Sequence, residues 1–252
     1  MRRLVATDAH EGPVYVAGED ALYYTTARPE VEVRRLALAS GEVTTVLART
    51  GVANGMALDH DGSLLVCEQH PAAITRVDRA GAVLETVVDS YRGRPLNSPN
   101  DVVVTRDGAI WFTDPSYAHL QGFGPAPQLP DAVYRYADGE LTMVADGFEK
   151  PNGLAFSPDE RILYVGDSEA CVIWAFENGD RRRFAEIAPG YPDGIKVDAA
   201  GQVYSTADDG IQIFDPGGRC VGSIPLPGAV NFTFGDGALF ITTDDAIWRS
   251  TT

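Results

Sequence analysis

The chain has 252 residues, 44% hydrophobic and 22% charged, a composition that supports a sizeable core in a soluble globular protein. Its formal net charge of −16 argues against nucleic acid and anionic membranes as partners, and neither a secretory leader nor a transmembrane segment is expected. Three cysteines, Cys67, Cys171 and Cys220, are odd in number and lack CxxC spacing, which indicates neither a disulfide framework nor a thiolate metal site; they read as small core residues in a cytoplasmic protein.

From the N-terminus, EGPVYVAGEDALYYTT (from Glu11) places two apolar runs around a tight turn, and VEVRRLALASGEVTTVLAR after it supplies an outer hairpin. The phrase returns as NGMALDHDGSLLVCE from Asn54, followed by AAITRVDRAG. NDVVVTRDGAIWFTD from Asn100 is the third unit, with VYRYADGELTMVADG as its outer hairpin. Between them lies an irregular stretch from Pro115 to Ala132 with four prolines and two glycines, long enough to predict a lid. NGLAFSPDERILYVGD from Asn152, DGIKVDAAGQVYSTA from Asp193 and NFTFGDGALFITT from Asn231 complete six units.

The leading positions are 43, 46, 52, 41 and 38 residues apart, and no segment holds a helical period over a dozen residues. Such spacing predicts an all-β, six-bladed β-propeller with four-stranded blades, formed by residues 1–252 as one domain. Either RRLVAT or AIWRSTT could supply the strand that closes the ring.

In a propeller the innermost strands line a central channel, so equivalent positions converge at one end of the axis. Here those positions are Glu11, Asn54, Asn100, Asn152, Asp193 and Asn231, all carboxylates or carboxamides. Oxygens gathered on an axis suit a hard divalent cation. Glu11 and Asp193 would balance its charge, and Asn100 and Asn152 would complete the protein's share of the shell. No HxH or HExxH spacing points to a histidine zinc site, and no GxSxG elbow points to a serine nucleophile.

The phrases EGPVY, LNSPNDVVV, DGAIWFTDPSY, PNGLAFSPDE and PDGIKVDAAG resemble, in order and over nearly the whole chain, the SMP-30/gluconolactonase/LRE (regucalcin-like) family. LNSPNDVV followed by IWFTDP is most similar to its gluconolactonase branch. The resemblance implies one bound divalent cation, calcium first with zinc, magnesium or manganese as alternatives. It implies Glu11, Asn152 and Asp193 as metal ligands, and Asn100 as a fourth ligand or substrate contact. It also implies Asp193 as the general base of a metal-dependent lactonase. Asn54, His70, Asp114, Tyr117 and His119 are further candidates for substrate contact. The chain reads CEQHPAA at 67–73 where that branch often carries C-E-H-G-x-R-R, so the identity of the lactone is not carried over. A phosphotriester hydrolase, a specialised biosynthetic enzyme and a non-catalytic metal-binding propeller are the alternative readings; the protein is expected to be a monomer or small homo-oligomer whose partner is a small-molecule lactone.

Overall fold

Alternating apolar runs and Asp/Gly turns fold each repeat into an antiparallel four-stranded sheet in the computed structural model, which describes residues 1–48 and 50–251. Arg49 and Thr252, the last residues of the first outer-hairpin stretch and of AIWRSTT, lie outside the described residues. The turns close through aspartate side chains. Asp78 Oδ1 accepts the N–H groups of Ala80 and Ala82 at 2.9 and 2.8 Å, and Asp198 Oδ1 repeats this with Ala200 and Gln202 at 2.9 Å.

Five blades run outward in chain order. The first contains Glu11–Val16, Ala21–Thr25, Val33–Ala37 and Val43–Leu47; the second Ala53–Leu58, Leu64–Gln69, Ala72–Val77 and Val83–Val88. The third contains Val102–Val104, Ile110–Asp114, Ala132–Ala137 and Glu140–Ala145; the fourth Pro151–Phe156, Ile162–Asp167, Val172–Glu177 and Asp180–Glu186. The fifth contains Ile195–Val197, Val203–Ala207, Gly210–Phe214 and Cys220–Pro225. The sixth joins both ends of the chain. Asn231–Gly235, Ala238–Thr243 and Ala246–Thr251 are followed on the outside by Arg2–Ala6, paired from Arg2↔Arg249 to Ala6↔Ala246. Both termini therefore serve the closure, which spares the ring an open seam.

The core lies between blades. Val14, Tyr23 and Val33 of the first blade pack on Met56, Leu64 and Val66 of the second, and every neighbouring pair, the sixth with the first included, forms such a layer. Of the cysteines only Cys67 joins this core. Cys171 is half-buried, and Cys220 is exposed because it begins an outermost strand, where side chains meet solvent. Among the described residues no helix is long and apolar enough to cross a membrane.

At Gly55 and Gly153 there is no room for a side chain between neighbouring innermost strands, and glycine makes the approach possible. A Cβ on Gly55 would sit 2.5 Å from the Asn100 carbonyl oxygen, and one on Gly153 2.1 Å from that of Asp193. The same glycines donate their N–H groups to those carbonyls at 2.8 and 3.0 Å. Threonine hydroxyls of the second strands add cross-blade bonds, Thr25 to the Asn54 carbonyl at 3.0 Å and Thr113 to that of Asn152 at 2.7 Å. These bonds fix the backbone that carries the axial side chains. Gly153→Ala is expected to cost about 1–3 kcal/mol or more in urea unfolding through backbone displacement. Gly18→Ala, whose Cβ would meet nothing within 4 Å, should be neutral by comparison. Equal effects of the two would contradict the close-approach account.

Candidate active site

One mouth of the axis opens into a cavity of about 730 Å³, and Glu11, Asn54, Asn100, Asn152 and Asp193 all line it. The sixth slot residue, Asn231, stands behind Glu11. Its Nδ2 donates to Glu11 Oε2 at 2.6 Å, and the Gly12 N–H reaches the same oxygen at 3.1 Å. Since Glu11 belongs to the first blade and Asn231 to the last, ring closure itself orients this carboxylate.

Asn152 is oriented from its nitrogen side. Nδ2 donates to Ser168 Oγ at 3.1 Å and approaches the Tyr117 hydroxyl at 3.5 Å, while Ser168 Oγ donates to the Pro192 carbonyl at 2.8 Å. With both amide protons engaged, Oδ1 is the atom left for a ligand. Tyr117 comes from the short helix Tyr117–Leu120 inside the irregular 115–132 stretch, and Leu120 and Gln121 line the cavity with it. Burial holds the Tyr117 phenol well above its ordinary pKa, so it stays a proton donor in hydrogen bonds.

The electrostatics are those of crowded, desolvated carboxylates. Burial pushes Asp193 well above the usual carboxylate range, and the negative charges of Glu11 and Asp101 push it further, with Asn152 only partly opposing. Glu11 is raised by burial too, against the opposing influence of His10 and the Asn231 amide. A divalent cation would let both carboxylates ionise together. The donor set fits such an ion: two carboxylates and three carboxamides around one cavity, all hard oxygen donors. Among the described residues no group of three His, Cys, Asp or Glu forms an alternative metal cluster.

Three sequence candidates for substrate contact lie off the cavity wall. Asp114 is fully buried, and its two oxygens accept the N–H groups of Asn97 and Ser98 at 2.9 and 2.8 Å, which ties down the loop leading to Asn100. Asp167 does the same for Glu149 and Lys150, at 3.2 and 2.7 Å, ahead of Asn152. His70 sits exposed in the turn after Leu64–Gln69, and its neighbour Gln69 takes the cavity position. His119 is on the exposed side of its helix, two residues on from Tyr117.

The cavity also has walls that come from outside the repeated strands. His10, Arg28, Glu169, Tyr191 and Asp244 line it from connecting loops. His10 Nδ1 lies 2.7 Å from Asp244 Oδ1, a contact that exists only because the first and last blades adjoin. Arg28 stacks on Phe123 at 4.5 Å and links the first blade's loop to the 115–132 segment over the mouth.

The combination of six four-stranded blades with an oxygen-lined axial cavity of small-molecule size defines a propeller built around a polar ligand site. Residues 9–245 match the SMP-30/Gluconolactonase/LRE-like region, and the chain belongs to that family. It is 32% identical to a gluconolactonase of Zymomonas mobilis, over 98% of this chain and 80% of that protein. A pentonolactonase of Haloferax volcanii is 30% identical over 96% of this chain and 84% of its own length. A gluconolactonase structure from Xanthomonas campestris superposes with a TM-score of 0.91 at 38% identity, covering 98% of this chain and 87% of that one.

Burial drives Asp114 and Glu68 to about 7, in the same direction as Glu11 and Asp193. Folding-state pKa values above the unfolded ones mean that the folded protein retains protons the unfolded chain has released. Stability from these groups is therefore full below about pH 4 and is lost as pH rises through about 7. In chelator, the urea midpoint is expected to fall between roughly pH 5 and pH 8, and Glu68→Gln should flatten the decline. A midpoint that rises over that interval would contradict the assignment.

Proposed function

We propose that the protein is a divalent-cation-dependent lactonase, with Asp193 as general base. The observation that carries this reading is the convergence of two carboxylates, the buried Glu11 and the half-buried Asp193, with Asn54, Asn100 and Asn152 on one cavity. The gluconolactonase and pentonolactonase relatives support the substrate class. Glu11, Asn152 and Asp193 would hold the cation, with Asn100 as a further ligand or a substrate contact.

When bound, the cation polarises the lactone carbonyl and stabilises the negative charge that develops on its oxygen. Asp193 takes a proton from the attacking water as the water oxygen bonds to the carbonyl carbon. The ring C–O bond then breaks, and the same proton passes from Asp193 to the departing ring oxygen, giving the hydroxy acid. No covalent nucleophile is needed. Asn54 and the Tyr117 phenol offer hydrogen bonds to the hydroxyl groups of a polar lactone, and the helix carrying Tyr117 excludes water from that side.

Asp193→Asn is expected to lower lactone turnover by about 10²–10⁴-fold with little change in thermal unfolding. Chelator should abolish activity, and Ca²⁺, Mg²⁺, Mn²⁺ or Zn²⁺ should restore it in some order. Full turnover by protein shown metal-free by elemental analysis would reject the cation. Faster turnover of phosphotriesters than of any lactone in a matched panel would reject the substrate class.

A further inference from the structure

Two positions on the innermost strands carry charge where the corresponding residues of every other blade are uncharged. The residue after each axial oxygen reads Gly12, Gly55, Asp101, Gly153, Gly194 and Phe232, so only the third blade is ionisable there. Three residues after each axial oxygen come Val14, Ala57, Val103, Ala155, Lys196 and Phe234, and only the fifth blade is charged. These two exceptions meet. Lys196 Nζ lies 3.6 Å from Asp101 Oδ2, with side chains 23% and 3% exposed.

Asp101 is otherwise held by backbone. Its Oδ1 accepts the Val102 N–H at 2.9 Å, and Oδ2 faces the Leu154 N–H of the fourth blade at 3.4 Å. Neither Asp101 nor Lys196 lines the cavity, so neither is a ligand candidate. Asp101 nevertheless follows the axial Asn100 directly, and its carboxylate stands against Gly55 of the second blade's innermost strand, 2.6 Å from where a Cβ there would sit, so its charge lies beside the axis. Without compensation the axis would present three carboxylates to an ion.

We infer that Lys196 sets the charge of the axial site: by neutralising Asp101 it leaves Glu11 and Asp193 as the two uncompensated carboxylates on the innermost strands, with Glu169 and Asp244 out in solvent at the cavity rim, a match for a divalent rather than a trivalent cation. This inference rests on the cation-binding reading given under Proposed function. Asp101 and Lys196 act on the ion at a distance, as positioning residues for charge. A pair that merely braced the third, fourth and fifth blades would weaken ion binding when either member was replaced. Charge setting gives opposite signs.

The test is calorimetric titration of metal-stripped protein with Ca²⁺ and, separately, Tb³⁺. Lys196→Gln should bind Ca²⁺ on the order of tenfold more tightly, and Tb³⁺ more tightly still, because a uncompensated charge acts on the ion through a medium of intermediate dielectric. Asp101→Asn, which leaves an excess positive charge, should weaken both by a similar factor. The double variant should return close to wild type, and Lys196→Arg should keep wild-type affinities. Should Lys196→Gln not fold without metal, the weakening by Asp101→Asn and its reversal in the double variant carry the test. Weakening in both single variants, or no change in either, would overturn charge setting while leaving the lactonase reading in place. Wild-type protein that bound no divalent ion would overturn both.

Discussion

The structure depends on holding like charges together away from water. Glu11 and Asp193 come from the first and fifth blades, and burial raises both above the ordinary carboxylate range. Such an arrangement is unfavourable on its own and survives because the surrounding fold over-determines it. Closure of the ring by Arg2–Ala6 brings Asn231 against Glu11, and the glycines beside the axis let neighbouring strands approach until carbonyls and N–H groups bond across blades.

A second tier of carboxylates serves the first without touching the cavity. Asp114 and Asp167 occupy corresponding ends of the second strands in the third and fourth blades, and each captures two backbone N–H groups of the loop that precedes an axial asparagine. A carboxylate in this role fixes where the next innermost strand begins, and so where Asn100 or Asn152 points. The architecture divides its labour: the repeated strands present oxygen, while the connecting loops, through Tyr117, Arg28, Glu169 and Tyr191, shape what can reach it.

The ring and its axial oxygens were legible because both are periodic. Six turns, six apolar hairpins and six oxygen-bearing leaders repeat at blade length, and a pattern repeated six times resists accidental interpretation. What is not periodic was harder to read. The sequence places Asp114 next to Thr113, and only the structure shows Thr113 bonded toward the axis and Asp114 turned to the preceding loop. His70 looked available for substrate, yet the turn after Gln69 carries it outward. His10 lies just outside the repeated strand positions, and only the structure shows it facing Asp244 from the far end of the chain. Asp101 and Lys196 are visible in the aligned repeats as departures, and their meaning emerges only when the fourth blade is seen to hold them 3.6 Å apart.

The central claim is that side-chain oxygens from separate blades grip one cation at the mouth of the axis. The most direct measurement is anomalous diffraction from crystals soaked in Mn²⁺. The account predicts one strong peak about 2.0–2.6 Å from the carboxylates of Glu11 and Asp193 and from Asn152 Oδ1. An axis without anomalous density at saturating Mn²⁺, or a sole peak elsewhere on the protein, would contradict it.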